Sequence, residues 1–277
     1  MIDPNQGSEP PEGLREWLAG VDPAREESVR TVRIGQVRCV VKRRRRSVAG
    51  TLGYLARYAR AALLALFCRV FLGEFPAPRV LLRNGLSDEA RRLRELRRAG
   101  CRVPAVYWEE PEVLVLEFVG EDLPYIAKRA DPAGRRALLE QASLDLAEFH
   151  RDGHVHGGAQ LRNLTVRDDM LWRIDFEENI GGALSRPLAQ AYDVFQMLAS
   201  LMSMRRVAPE ELSGLGTLML ERYLEAWPDP AVRRELERVA RTLRKVAGVP
   251  GLGRLPWRDV QGFVRVAGIL QHLQRTP

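Results

Sequence analysis

Residues 145–182 read DLAEFHRDGHVHGGAQLRNLTVRDDMLWRIDFEENIGG, and the punctuation of this stretch decides the fold. A helical pattern beginning near Pro132 runs out at His150-Arg151-Asp152, and a polar, glycine-bearing loop carries the chain from His154 to Asn163. Two short β-like runs follow, Leu164 to Val166 and Leu171 to Ile174, around an Asp168-Asp169 turn, which together predict a tight hairpin. Asp175-Phe176 comes directly after it.

His156, Asn163 and Asp175-Phe176 stand at the intervals of the protein-kinase pattern, in which H-x-D-x-x-x-x-N follows a helix and D-F-G follows a hairpin. The aspartate that accepts the acceptor's proton in that pattern is replaced by Gly158, which can take no proton. His150-Arg151-Asp152 spells a similar triplet, but it lies too far before Asn163 and reads as the end of the preceding helix.

HVHGGAQLRN followed by RIDFEEN resembles the small bacterial and archaeal branch of the protein-kinase-like superfamily: the lipopolysaccharide Kdo and heptose kinases, the RIO kinases and the kinase subunit of the KEOPS complex. The likeness extends through SDEARRLRELRRAGCRVPAVYW and VLVLEFVGEDL, covering roughly residues 29–200. It implies an α+β, two-lobed protein-kinase-like fold with a small β-rich N-lobe and a helical C-lobe. The expected division is a flexible tail at 1–13, an N-lobe at 14–119 and a helical C-lobe at 120–277.

Within the N-lobe, VRTVRIGQVRCVVKR (29–43) alternates at period two around Gly35-Gln36 and predicts a hairpin. Its second arm ends in Val40-Val41-Lys42, similar to the kinase V-A-I-K strand whose lysine contacts phosphates. The chain has three lysines against forty arginines, so a lysine beside Arg43-Arg44-Arg45-Arg46 is not what its composition places by default. A compact ammonium suits a phosphate contact. Its expected partner is Glu89, with Glu95 the alternative, on a helix that Ser87 is positioned to cap. No G-x-G-x-x-G loop precedes Lys42.

The resemblance makes Glu117 and Val119 part of a hinge whose backbone binds adenine, and Asn163 and Asp175 the ligands of Mg2+. It makes Asp193 a brace beneath the loop. His156, Gly158, Gln160 and Arg162 line the catalytic loop, and Glu177, with Glu178, supplies carboxylates where D-F-G has glycine. ATP and Mg2+ are thus the expected cofactors.

Cys39, Cys68 and Cys101 are odd in number and unpatterned, which favours a reducing, cytoplasmic setting over a disulfide framework or zinc site. His150, His154 and His156 are poorly spaced for a metal. Residues 1–13 lack the apolar core and basic start of a secretory signal.

Residues 42–102 hold sixteen Lys or Arg against four acidic residues, a field that favours an anionic partner. Inside this region a helical insert is expected at 48–84, and its arginines at 57, 60 and 69 interrupt any transmembrane span. Two readings of 52–75 stand: an amphipathic helix in a membrane interface, or a helix packed on the N-lobe or on a partner.

Two functions follow. One is an ATP-dependent phosphotransferase acting on an envelope glycolipid such as lipopolysaccharide or on a membrane-proximal protein, with a tRNA-linked role as a further option. The other is a nucleotide-binding pseudokinase serving as a scaffold.

Overall fold

The computed structural model describes residues 9–20, 28–43, 62, 65–66, 69, 73–74, 85–177, 180–204, 207–247 and 258–271. Strands β1 (Ser28–Ile34) and β2 (Val37–Arg43) form the expected hairpin, and Gly35 takes the left-handed conformation (φ 57°) its two-residue turn demands. Helix α1 (Leu14–Ala19) precedes them; helix α2 (Leu86–Arg98) and strands β3 (Val106–Glu110) and β4 (Val113–Glu117) complete the lobe. The four strands are antiparallel in the order β1-β2-β4-β3, with Lys42 opposite Leu114.

Because side chains alternate across a sheet, each face has its own partner. Cys39, Val41 and Val115 pack with Ile34 and with Leu14 of α1. Leu114 and Leu116 pack on the other face against Leu86, Ala90 and Leu93 of α2, together with Phe149 and Phe176. Lys42, one residue after Val41, is thereby turned toward α2 and the second lobe. Helix α2 begins at Leu86 with Gly85 at its N-cap and no side-chain cap; Ser87, expected to cap it, is exposed in the first turn.

The chain crosses between lobes at Phe118-Val119-Gly120 and enters β5 (Glu121–Asp122), which pairs with β6 (Leu164–Arg167) and through it with β7 (Met170–Arg173). The β6–β7 turn holds Asp168 and Asp169 at φ 52° and 57°, the left-handed pair a tight hairpin needs. Helix α3 (Leu123–Ala127) is capped by Asp122, which accepts from the Tyr125 amide at 2.7 Å. Helix α4 (Pro132–Arg151) is likewise capped by Asp131 and ends at exposed Asp152, as the sequence pattern implied.

Helices α5 (Arg186–Met202), α6 (Pro209–Ala226), α7 (Pro230–Ala247) and α8 (Arg258–Gln271) pack with α4 into the larger core, whose fully buried side chains include Leu139, Leu146, Leu188, Met197 and Tyr223. This is an α+β architecture, a small antiparallel sheet over a helical lobe.

The expected tail, residues 1–8 of it, and most of the insert lie outside the described residues. Three described residues of the insert, Ala65, Gly73 and Glu74, meet the helical lobe, whereas the two expectations were a membrane interface or packing on the N-lobe or a partner. Ala65 is fully buried in the α4–α8 core, Glu74 accepts bonds from the amide and hydroxyl of Ser185 at 2.9 and 2.6 Å, and Gly73 abuts Arg238. No helix among the described residues is long and apolar enough to cross a membrane.

Gly120 fixes the crossing. Its φ is 105°, and an added Cβ would lie 2.1 Å from the Val166 carbonyl oxygen. Gly120→Ala is therefore expected to destabilise the protein by about 3 kcal/mol, combining left-handed strain with overpacking. Chemical denaturation checks this, and a loss within the range of an ordinary surface substitution would show that the two lobes are not held this closely.

Candidate active site

Lys42 is the hub of the cleft between the lobes. Its Nζ lies 2.7 and 2.9 Å from the two carboxylate oxygens of Glu89, 2.7 Å from Asp175 Oδ1 and 3.5 Å from Glu177 Oε1. Lys42 and Glu89 are buried, whereas Asp175 and Glu177 remain partly open to solvent. Burial presses the ammonium toward deprotonation, but Glu89 and Asp175 outweigh it and leave the lysine pKa above its ordinary value. Burial lifts the Glu89 carboxyl, and Lys42 is the group that opposes this.

Backbone geometry makes the convergence possible. Asp175, two residues past the end of β7, has φ 66°, left-handed for a non-glycine residue. Among the described His, Cys, Asp and Glu residues, Glu89, Asp175 and Glu177 form a cluster whose ligand oxygens lie within 4.8 Å of one another. Asn163 is buried and spends its Nδ2–H on the Gly158 carbonyl at 2.8 Å, so its Oδ1 is the atom it has to offer a cation. The donors are oxygens, the set a magnesium ion prefers.

The loop below is held by Asp193 on α5, buried as an ionised carboxylate. It accepts the His156 amide at 2.7 Å, the Gly157 amide at 2.8 Å and the His150 Nε2 proton at 3.2 Å. Burial favours its neutral form, and these N–H donors more than reverse that, keeping its pKa low. His150 Nδ1 in turn meets the Tyr223 hydroxyl at 2.8 Å.

His156 is spent on structure. Its Nε2–H donates to the Ile174 carbonyl (3.1 Å), its Nδ1 accepts the Gly158 amide (3.2 Å), and its ring stacks on Phe176 at 4.3 Å. With both nitrogens engaged and the ring buried, the geometry gives His156 a bracing role and offers no free atom for proton transfer.

The remaining expected residues are placed less centrally. Gln160 makes a 3.4 Å contact with Gln196, and Arg162 is exposed. Gly158 donates and accepts only through its backbone. Glu117 has its carboxylate bound to Arg167 (2.7 Å) and to the Ala105 amide (3.1 Å), and the Val119 carbonyl accepts Thr165 Oγ1 at 2.8 Å. Glu178 and Cys68 lie outside the described residues.

Two features were missed in the sequence. Arg92 of α2 binds the carbonyls of Val155, His156 and Phe176. Arg102, just beyond α2, binds Asp145 of α4 and the Leu171 carbonyl, and Arg173 joins the same Asp145. Arg92 follows Glu89 by three residues, the helical spacing of one face, but in an arginine-rich chain nothing set it apart.

Residues 76–190 match the RIO domain family. A stretch of 96 residues is 38% identical to a probable bifunctional tRNA threonylcarbamoyladenosine biosynthesis protein of Natronomonas pharaonis, covering 32% of this chain and 16% of that relative's length. A Map kinase of Leishmania major aligns over 91% of this chain and 71% of its own at 12% identity, with a TM-score of 0.34. The RIO-domain match covers less than half of the chain, and the fold described above agrees with it: residues 76–190 are similar to a domain of the protein-kinase-like superfamily.

The buried histidines set a pH dependence. Burial lowers the His156 pKa from 6.5 to about 4, and burial lowers that of His150 as well. A depressed folded-state pKa means that the unfolded chain binds the proton first, so stability is complete above about pH 6.5 and falls as pH drops toward 4. His156 alone accounts for about 3 kcal/mol across that window. Denaturation midpoints measured from pH 8 to 4 should show this acid limb, shallower by about one proton in His156→Gln. An unchanged slope in the variant would remove His156 from the account.

Proposed function

We propose that this protein is a magnesium-nucleotide-binding, kinase-like phosphotransferase that works without a catalytic-loop aspartate. The observation that carries this reading is the simultaneous contact of Lys42 with buried Glu89 and with partly exposed Asp175. One carboxylate orients the ammonium from inside. The other stands where a cation bridging phosphates would be held.

ATP and Mg2+ would supply the transferable phosphoryl group and its charge neutralisation. For the nucleotide, the residues that would serve are Lys42 toward the phosphates, Asp175 and Asn163 toward the cation, and the Glu117–Val119 backbone toward the base. Glu177, within reach of Lys42, offers a further oxygen on the cation's side of the cleft. The two-residue β1–β2 turn gives no glycine-rich cover for the phosphates, which favours weak nucleotide binding.

Phosphoryl transfer passes through a loose transition state in which positioning and electrostatics dominate, so the lack of a base at Gly158 slows the reaction without forbidding it. General-base assistance is ordinarily worth about 10²–10⁴ in rate, and slow turnover is expected. Gly158 is also the observation that favours a second reading, a pseudokinase that binds Mg-nucleotide and acts as a scaffold.

The acceptor or partner is anionic on charge grounds, given the sixteen basic against four acidic residues of 42–102. That field suits an envelope glycolipid, a membrane-proximal protein or RNA. Likeness to the Natronomonas tRNA threonylcarbamoyladenosine biosynthesis protein favours RNA. A cytoplasmic setting, with or without peripheral membrane contact, is part of this proposal and rests on the unpatterned cysteines.

Calorimetric titration with Mg-ATP, followed by ADP release in the same sample, tests the reading. Binding should weaken at least about 30-fold in Asp175→Ala, the scale of a lost charged phosphate-side contact, and ADP should form slowly in the wild type. Binding without ADP formation would select the scaffold; absence of binding at millimolar nucleotide would sink both.

A further inference from the structure

Arg92 is assigned no contact with nucleotide, yet the backbone segments that position the site meet at its guanidinium. Nη1 donates to the Phe176 carbonyl at 3.0 Å, and Nη2 donates to the carbonyls of His156 at 3.0 Å and Val155 at 3.3 Å. The guanidinium carbon also lies 5.3 Å from the Phe176 ring centroid. Two of these carbonyls begin the loop that leads to Gly158 and Asn163, and the third belongs to the residue after Asp175.

Irregular backbone in an interior needs donors, and a planar, permanently charged fork supplies several from one side chain. Arg92 does so from the same helix, one turn beyond Glu89. The far end of α2 has a separate anchor. Arg102 binds Asp145 and the Leu171 carbonyl, and its own carbonyl accepts the Arg173 amide at 2.9 Å. Among the described residues, Arg92 ties the turn carrying Glu89 to the second lobe, beside the apolar contacts of Leu86, Ala90 and Leu93.

We propose that Arg92 is a positioning residue, a latch that fixes α2 to the His156 loop and to the Asp175-Phe176 segment so that Lys42, Glu89 and Asp175 are assembled before a nucleotide arrives. This deepens the nucleotide-binding reading above and rests on it. The consequence is that Mg-nucleotide affinity depends on a side chain that does not touch the nucleotide.

Arg135 is a matched control. It binds two carbonyls where Arg92 binds three, those of Ala127 (3.1 Å) and Ala130 (3.3 Å), and pairs with a carboxylate, Glu211, wholly within the helical lobe. The experiment compares wild type, Arg92→Ala, Arg92→Lys and Arg135→Ala by Mg-ADP calorimetry and by hydrogen exchange of residues 86–98 in nucleotide-free protein.

Arg92→Ala should weaken Mg-ADP about tenfold, which is 1.4 kcal/mol, and speed exchange through α2. Arg92→Lys should recover part of both, and it stands in for the alanine variant if that fails to fold. Arg135→Ala should lower the denaturation midpoint while leaving affinity and α2 exchange as in the wild type. Equal behaviour of the Arg92 and Arg135 variants, or unchanged α2 exchange without Arg92, would overturn the latch. If the wild type binds no Mg-ADP, the nucleotide reading falls, and the exchange contrast in nucleotide-free protein still decides the latch.

Discussion

An ammonium buried to 7% exposure must be paired, and the cleft is organised around that requirement at Lys42. Removing a charge from water costs several kcal/mol, which neighbours must return through close carboxylates. Sheet alternation turns Lys42 away from the α1 face, and α2 is docked by Leu86, Ala90 and Leu93 so that Glu89 arrives within 2.7 Å. The left-handed backbone at Asp175 then brings a second carboxylate from the other lobe. One ion-pair centre thus joins a strand, a helix and the segment after a hairpin, from regions far apart in sequence.

The lower half of the site obeys the same logic with another buried charge. Asp193 receives two loop amides and the His150 ring, and His150 is seated in turn by Tyr223 of α6. These bonds hold the loop open at Gly158 as firmly as they would hold an aspartate there. The loop is thus braced from beneath, with Gly158 at the position where the kinase pattern has an aspartate.

Much of this was legible because it depends on local pattern. The β1–β2 and β6–β7 hairpins announce themselves by alternation and by Gly35 and Asp168-Asp169 at their turns, and spacing alone relates His156, Asn163 and Asp175. Glu89 could be paired with Lys42 only through the resemblance, since the contact spans 47 residues. Arg92 and Arg102 were hidden because their partners are backbone carbonyls and a distant carboxylate, which leave no trace in a helix's own periodicity. Ser87 misled because cap preference is a weak local term. Helix α2 starts where its apolar face meets the sheet, one turn before Ala90. The insert left two readings open, a membrane interface or packing on the N-lobe or a partner, and Ala65 and Glu74 reach the helical lobe, a long-range choice that amphipathicity cannot specify.

Lys42 and Glu89 form a coupled pair that stabilises the cleft of the free protein. A double-mutant cycle with Lys42→Met and Glu89→Gln, read by chemical denaturation at pH 7, measures it most directly. Each single change should be costly, the double change should cost much less than their sum, and the coupling should be at least about 2 kcal/mol. Additive effects, agreeing within about 0.5 kcal/mol, would mean that the two charges are solvated separately and that the cleft is not assembled around them.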